Sequence, residues 1–298
     1  MLELNGLTKR FGSLLALDDV TFAVPAGTVV GFVGRNGSGK TTTMRSALGL
    51  VQLDSGSVSW RGERPDQGVL ARDFGYMPEE RGLYPKMRIV DQLRFIGRVS
   101  GLVASDAVAA ADEWLERLDL AARARATLDA LSLGNQQRIQ LAAAVLHRPS
   151  MLILDEPFSG LDPLGVDVLA AALKDEVARG AAVLFSSHQL DLVDRLCDSV
   201  VVIDGGRVVA RGTTDELRAA RSSRRIEVEV QGALDPNWSA GVAGTTVVER
   251  RPDRLVIELD DAADDQVLLD AARTAGSVRR FAPVTPSLAD LYREVVPT

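Results

Sequence analysis

Val29-Val30-Gly31-Phe32-Val33 runs directly into Gly34-Arg35-Asn36-Gly37-Ser38-Gly39-Lys40-Thr41, and this junction decides the fold. The first five residues show no polar alternation, so they read as a strand buried on both faces. The next eight fit G-x-x-x-x-G-K-[ST], with a helix predicted from about Gly39 to Leu50. Glycines let the backbone wrap an anion without Cβ clashes, and successive N–H groups can then face phosphate. The helix adds its positive N-terminal end. In such a loop Lys40 reaches the β- and γ-phosphates and Thr41 offers a hydroxyl to Mg²⁺; Gly34, Arg35, Asn36, Gly37, Ser38, Gly39 and Thr42 complete the candidate cradle. The motif alone predicts a nucleoside-triphosphate site and no particular chemistry.

Outward from the loop, short apolar runs alternate with helical patterns. Met151–Leu154, Ala182–Ser186 and Val200–Ile203 read as further buried strands, the last followed by a turn at Asp204-Gly205-Gly206 and a strand at Arg207–Ala210. This alternation predicts an α/β fold with a mostly parallel sheet. Leu2–Leu4, Asp19–Val24 and Ser57–Trp60 suggest a small antiparallel portion. Residues 85–149 read as an inserted helical subdomain. Near Ala219–Arg225 the chain turns polar and basic, which suits a linker or a solvated helix end. Beyond it, strands at Ile226–Val230, Thr245–Val248 and Leu255–Leu259, a helix at Ala263–Ala275, a strand at Val278–Phe281 and a helix at Ser287–Val295 predict a small α+β domain. The expected division is 1–220 and 221–298.

The chain has 298 residues, 46% hydrophobic and 25% charged, an ordinary soluble balance for one large and one small domain. A net charge of −7 gives no overall attraction to nucleic acid. Cys197, the single cysteine, excludes an internal disulfide framework. No apolar run reaches the roughly 18 residues of a membrane span, and the first residues lack a signal-peptide core. A cytoplasmic chain is expected, with any membrane role supplied by a partner.

A second chemical signal follows Met151–Leu154: the acidic pair Asp155-Glu156. Strand ends of open α/β sheets are where ligands bind. There Asp155 can hold Mg²⁺ and Glu156 can activate the attacking water as general base.

Leu131-Ser132-Leu133-Gly134-Asn135-Gln136-Gln137-Arg138 resembles the LSGGQ-type signature of ABC ATPases. Over roughly residues 2–220 the other family elements follow in order. Phe11 lies where the adenine-stacking aromatic sits, Ser159-Gly160-Leu161-Asp162 matches the D-loop, and Ser187-His188 matches the switch histidine. The resemblance implies two subunits paired head to tail. The signature of one (Ser132, Gly134, Gln136) and its Asp162 would meet the ATP held by the other, and His188 would contact the γ-phosphate. Phe11 also suits a core position, and Asp162 a helix cap before Pro163. Two positions depart from the pattern: Leu133 replaces a glycine, and Glu79 stands where the Q-loop glutamine would ligate Mg²⁺.

Pro78-Glu79-Glu80-Arg81-Gly82-Leu83-Tyr84-Pro85 is similar to a branch serving ABC-2-type exporters, and Pro286–Tyr292 to the closing helix of that branch's C-terminal domain. The resemblance implies ATP hydrolysis driving a separate ABC-2-type transmembrane permease at the cytoplasmic membrane face. Leu83, Tyr84, Met87 and Ile89 are candidates for the permease contact or for internal packing. The alternative is a soluble ABC ATPase acting on nucleic acid or ribosomes; such proteins carry two ATPase units or a long coiled-coil insertion, and this chain has one phosphate loop.

Overall fold

β3 (Val29–Val33) is buried at all five positions, as its unbroken apolar pattern demands. The computed structural model describes residues 1–80, 82–219, 224–232, 237–260, 262–284 and 287–296. Arg81 of the acidic loop, Ala220–Ser223 of the expected linker and Pro286 of the C-terminal motif lie outside the described residues.

In chain order the elements before and after β3 are β1 (Leu2–Phe11), β2 (Leu14–Val24), α1 (Lys40–Ala47), β4 (Ser55–Trp60), α2 (Gln67–Asp73), β5 (Phe74–Met77), α3 (Ile89–Val99), α4 (Ala104–Arg117) and α5 (Leu133–Val145). Then follow β6 (Met151–Leu154), α6 (Pro163–Ala178), β7 (Ala182–Ser187), α7 (Leu190–Leu196), β8 (Ser199–Asp204), β9 (Arg207–Thr213) and α8 (Thr214–Ala219). The last stretch holds β10 (Arg224–Gln231), β11 (Thr245–Arg250), β12 (Arg254–Leu259), α9 (Asp265–Ala275), β13 (Ser277–Pro283) and α10 (Leu288–Val295).

The chain divides into two compact units, Met1–Thr214 and Asp215–Thr298. The first holds a six-stranded sheet in the order β5-β6-β7-β3-β8-β9 and a three-stranded sheet in the order β2-β1-β4. The larger sheet is parallel except for β9, which returns antiparallel to β8 through Gly205 and Gly206. Its alternate residues serve two faces. Val30, Phe32, Ile153 and Leu184 join Met44 of α1 and Leu4, Leu17 and Phe22 of the antiparallel sheet in one core. On the other face Phe185 meets Phe158 edge-on at 5.4 Å. There the helices approach so closely that two strand positions must be glycine-sized. A Cβ on Gly31 would stand 2.6 Å from Val193 Cγ1 and 2.8 Å from Cys197 Sγ, and one on Gly75 would stand 2.0 Å from the Ala144 carbonyl oxygen. Cys197 is buried there and its thiol pKa is pushed up, chiefly by burial. The Ala144 carbonyl belongs to α5 and cannot rotate away, so Gly75→Ala is expected to cost roughly 1–3 kcal/mol of stability, read as a shifted denaturation midpoint with unchanged slope.

α1 ends at Ala47 rather than Leu50. Gly49 takes φ 68° and its N–H bonds the Ser46 carbonyl, which turns the chain. β1 and β2 run longer than predicted and close a hairpin just after Phe11, with Gly12 at φ 59°. The region 85–149 is helical in α3, α4 and α5 with two short 3₁₀ turns.

The second unit carries an antiparallel sheet in the order β11-β12-β10-β13. One face buries Val228, Ile257 and Leu268, the last from α9. The alternate positions pair charges, Glu227 with Arg254 and Arg280, and Arg225 with Glu258. α10 opens on a capping box in which Ser287 and Asp290 satisfy each other's backbone N–H.

Candidate functional site

Parallel, in-register strands put their carboxyl ends on one edge, so whatever follows them is brought together. Here β5, β6, β7 and β3 are consecutive neighbours. Met77 pairs with Leu154, Leu154 with Phe185, and Val33 with Ser187. The segment bearing Glu79, the pair Asp155-Glu156, His188 and the loop Gly34–Thr41 therefore converge. The Asp155 N–H donates to the Met77 carbonyl at 2.8 Å, which ties two of these ends directly.

The loop itself is preshaped. Gly37 and Gly39 take φ 81° and 111°, conformations that favour glycine. A Cβ on Gly34 would stand 2.4 Å from both the Ile203 carbonyl oxygen and Ser38 Oγ. Gly39 caps α1 without a side-chain acceptor, so the first-turn N–H groups of Lys40, Thr41 and Thr42 have no carbonyl one turn behind them. The Ser38 hydroxyl is buried without a hydrogen-bond partner. Lys40 is buried, and its Nζ donates to the loop's own carbonyls, Gly34 at 2.7 Å and Arg35 at 3.1 Å. An ammonium has three protons, and the cradle otherwise offers donors. This donor set fits a phosphate chain. Burial lowers the Lys40 pKa, and the carboxylates of Glu156, Asp155 and Glu79 oppose that shift. Arg35, Asn36 and Gly37 lie exposed on the rim.

Asp155 is 1% exposed and its two oxygens are held separately. Oδ2 accepts from Thr41 Oγ1 at 2.7 Å and Oδ1 from Ser186 Oγ at 2.6 Å. A carboxylate beside a hydroxyl at the mouth of a phosphate cradle is an all-oxygen set suited to Mg²⁺. Glu156 is also buried, at φ 50°, a strained conformation for a residue with a Cβ. Its Oε2 lies 2.9 Å from Nδ1 of His188, whose side chain is 59% exposed. The histidine is thus anchored at one nitrogen with the rest of the ring open to a ligand. Glu79 is exposed.

The signature forms the start of α5. Ser132 is its N-cap and is exposed, Leu133 is 58% exposed, and Gly134 lies against Leu161. Gln136 is turned the other way: it is buried and its Nε2 donates to the Leu131 carbonyl at 2.9 Å. Its side chain holds the signature turn and does not face the surface that Ser132 presents. Asp162 caps α6, its Oδ1 accepting from Gly165 N–H at 2.8 Å, ahead of Pro163 at the first position. Phe11 is 49% exposed at the end of β1, with the Lys9 ammonium 5.3 Å from its ring centroid. Of the residues expected at a permease contact, Tyr84 is 63% exposed, whereas Ile89 is fully buried because it opens α3 on its inward face. Leu83 and Met87 are half-buried.

Three site-shaping residues were not predicted as such. Ser186 bridges the acidic pair. Gln137 donates to the Glu156 and Pro157 carbonyls at 3.3 and 3.0 Å, and Gln140 to the Pro78 and Glu80 carbonyls at 2.6 and 3.2 Å. The available signal was polarity in an apolar setting: two serines closing the run Ala182–Phe185, and a buried glutamine inside α5.

A family model described as "ABC transporter" matches residues 17–159, and one described as "ATP-binding protein DrrA1-3-like, C-terminal domain" matches residues 212–296. The uncharacterized ABC transporter ATP-binding protein YhaQ of Bacillus subtilis is 37% identical over 99% of this chain and 98% of its own length. The daunorubicin resistance ATP-binding protein DrrA3 of Streptomyces coeruleorubidus is 37% identical over 78% of this chain and 74% of its own. Among solved structures, an ATP-binding subunit of an ABC transporter superposes with a TM-score of 0.70 at 34% identity, covering 74% of this chain and 92% of that one. Near full-length likeness together with the phosphate cradle, acidic pair and signature leads to one conclusion: the chain belongs to the ATP-binding proteins of ABC transporters and is an ATPase of that family.

Proposed function

We propose that the chain powers an ABC-2-type exporter: two copies bind ATP with Mg²⁺ between them and drive a separate transmembrane permease from the cytoplasmic face of the membrane. The observation that carries the nucleotide chemistry is the pair of short contacts Thr41–Asp155 and Glu156–His188 at the mouth of the cradle. The likeness of residues 212–296 to a DrrA-type C-terminal domain supports the exporter branch. In this reading residues 1–220 are the nucleotide-binding domain and 221–298 an accessory domain for regulation or dimer contact.

Phe11 stacks on adenine. Lys40 and the N–H groups of Gly34–Thr42 hold the phosphates. Thr41, Asp155 and Glu79 would hold Mg²⁺, which would neutralise phosphate charge. Glu156 takes the proton of the attacking water and His188 orients the γ-phosphate. The exposed Ser132 and Gly134 N–H of the second copy close over that phosphate at the start of its α5. Gln136 acts indirectly by shaping this turn, and Asp162 by capping α6 beside it. Closure therefore depends on ATP, because its contacts span both copies.

Among the described residues no helix is long and apolar enough to cross a membrane; in this reading the permease supplies the membrane attachment. Tyr84 with Phe95 and Val99 of α3, 50% and 64% exposed, offer the permease an apolar surface. The test is co-expression with an ABC-2-type permease from the same organism. The expected result is co-purification from membranes and ATP hydrolysis faster in proteoliposomes than by the chain alone, with both lost in Phe95→Glu. Recovery of the wild-type chain only in the soluble fraction, on ribosomes or RNA, would favour the alternative of a soluble ATPase.

A further inference from the structure

Ser186, near the end of β7, is fully buried, yet its hydroxyl lies between the two acids of the site. Oγ donates to Asp155 Oδ1 at 2.6 Å and accepts the main-chain N–H of Glu156 at 2.8 Å. A hydroxyl carries one proton and two lone pairs, so the carboxylate takes the proton and the amide takes a lone pair. Both bonds matter for what they hold. The Asp155 carboxylate is gripped from two sides, by Thr41 of the phosphate loop through Oδ2 and by Ser186 through Oδ1. Its rotation about the side chain is thereby fixed. Glu156 sits at φ 50°, where a Cβ is disfavoured. Such a conformation persists only when its surroundings over-determine it. The bond from its N–H to Ser186, together with Gln137 on its carbonyl, supplies that support.

We propose that Ser186 is a positioning residue for hydrolysis: one buried hydroxyl sets the orientation of Asp155 and the backbone turn that aims Glu156. The proposal rests on the roles given to Asp155 and Glu156 above. Ser186 acts through them and touches no reacting atom. Polar groups that orient a site's ligands from behind, when removed, typically cost about 10- to 100-fold in metal affinity or activity.

The experiment uses the full chain as wild type, Ser186→Ala and Ser186→Thr, with Glu156→Gln as the marker for the acid's own role. One readout needs no ligand: amide hydrogen exchange at Glu156 in nucleotide-free protein. The other is the split between kcat and KM for ATP. Ser186→Ala is expected to speed Glu156 exchange and to lower kcat by about 10- to 100-fold with KM within about threefold, and Ser186→Thr to restore both. A merely structural serine would leave Glu156 exchange no faster than that of its neighbours and would not be rescued by threonine. Should Ser186→Ala fail to fold, Ser186→Cys, whose thiol is a weak donor and acceptor, carries the same two expectations. The readings fail separately. Wild-type hydrolysis by Glu156→Gln would remove that residue's role. Unchanged exchange and kcat in Ser186→Ala, beside an inactive Glu156→Gln, would overturn the role of Ser186 alone.

Discussion

Glu156→Gln is expected to lower kcat for ATP hydrolysis by about 10²- to 10⁴-fold while leaving ATP affinity within a few-fold of wild type. The exchange replaces one oxygen by an amide nitrogen of nearly the same size. The main-chain bonds that hold the residue, its N–H to Ser186 Oγ and its carbonyl from Gln137, do not involve the side chain and survive. His188 Nδ1 at 2.9 Å can still meet an amide oxygen. What is lost is the ability to take a proton, which is the part proposed for this group. The phosphate cradle, Lys40 and Thr41 are untouched, so binding persists and the closed pair of subunits, no longer emptied by hydrolysis, accumulates. Phosphate release in steady state measures the first effect. Gel filtration with and without ATP measures the second, with a dimer expected only in the variant with ATP. A variant that releases phosphate at a rate comparable to wild type would exclude Glu156 as the base.

How far such roles were visible beforehand depends on the distance over which each residue acts. Gly34–Thr41 and Asp155-Glu156 are legible because strand, turn and site group are contiguous, and the local pattern contains the whole device. Phe11 and Asp162 were open between two readings. Phe11 is half-exposed at a hairpin end and Asp162 caps α6. β5 was not anticipated. Phe74-Gly75-Tyr76-Met77 is short and contains a glycine, and it is a strand because β6 offers it an edge and α5 presses a carbonyl against Gly75. Gln136 turns inward to bond the Leu131 carbonyl of its own turn, and Ile89 is buried on the inward face of α3, outcomes of backbone placement that the residue types alone leave open. Ser186 and Gln140 are the clearest cases, since their partners lie 30 and 31, and 60 and 62, residues away in sequence. Residues whose function is contained in their own segment can be read from that segment. Those that hold another segment in place become visible only once the strands are set side by side.

Lys40→Met is expected to abolish the stabilisation that ATP confers on this chain. A ligand that binds only the folded state adds RT ln(1 + [L]/Kd), about 2.7 kcal/mol at a hundredfold excess over Kd. In wild type this should appear as a raised Tm that grows with ATP concentration; in the variant the shift should vanish over the same range. The physical reason is that Lys40 is a buried cation placed among donors. Burial lowers its pKa, and the carboxylates of Glu156, Asp155 and Glu79 only partly oppose this. Its charge therefore costs the ligand-free fold something, and a triphosphate supplies the anion that makes that charge favourable. The sign can be checked against pH. The folded pKa lies below the unfolded value of 10.5, so the unfolded chain binds more protons between the two. The penalty is present in full below the folded pKa and is relieved as pH rises toward 10.5. Methionine, of similar length but uncharged, removes this penalty and its pH dependence while also removing the bonds to the Gly34 and Arg35 carbonyls. The ligand-free variant should thus keep its fold, with a stability whose rise toward alkaline pH is smaller than that of wild type, and should fail to respond to ATP. Thermal unfolding from pH 7 to pH 10, with and without nucleotide, measures both effects in one series. An ATP-dependent Tm shift equal to that of wild type would mean that Lys40 does not hold phosphate.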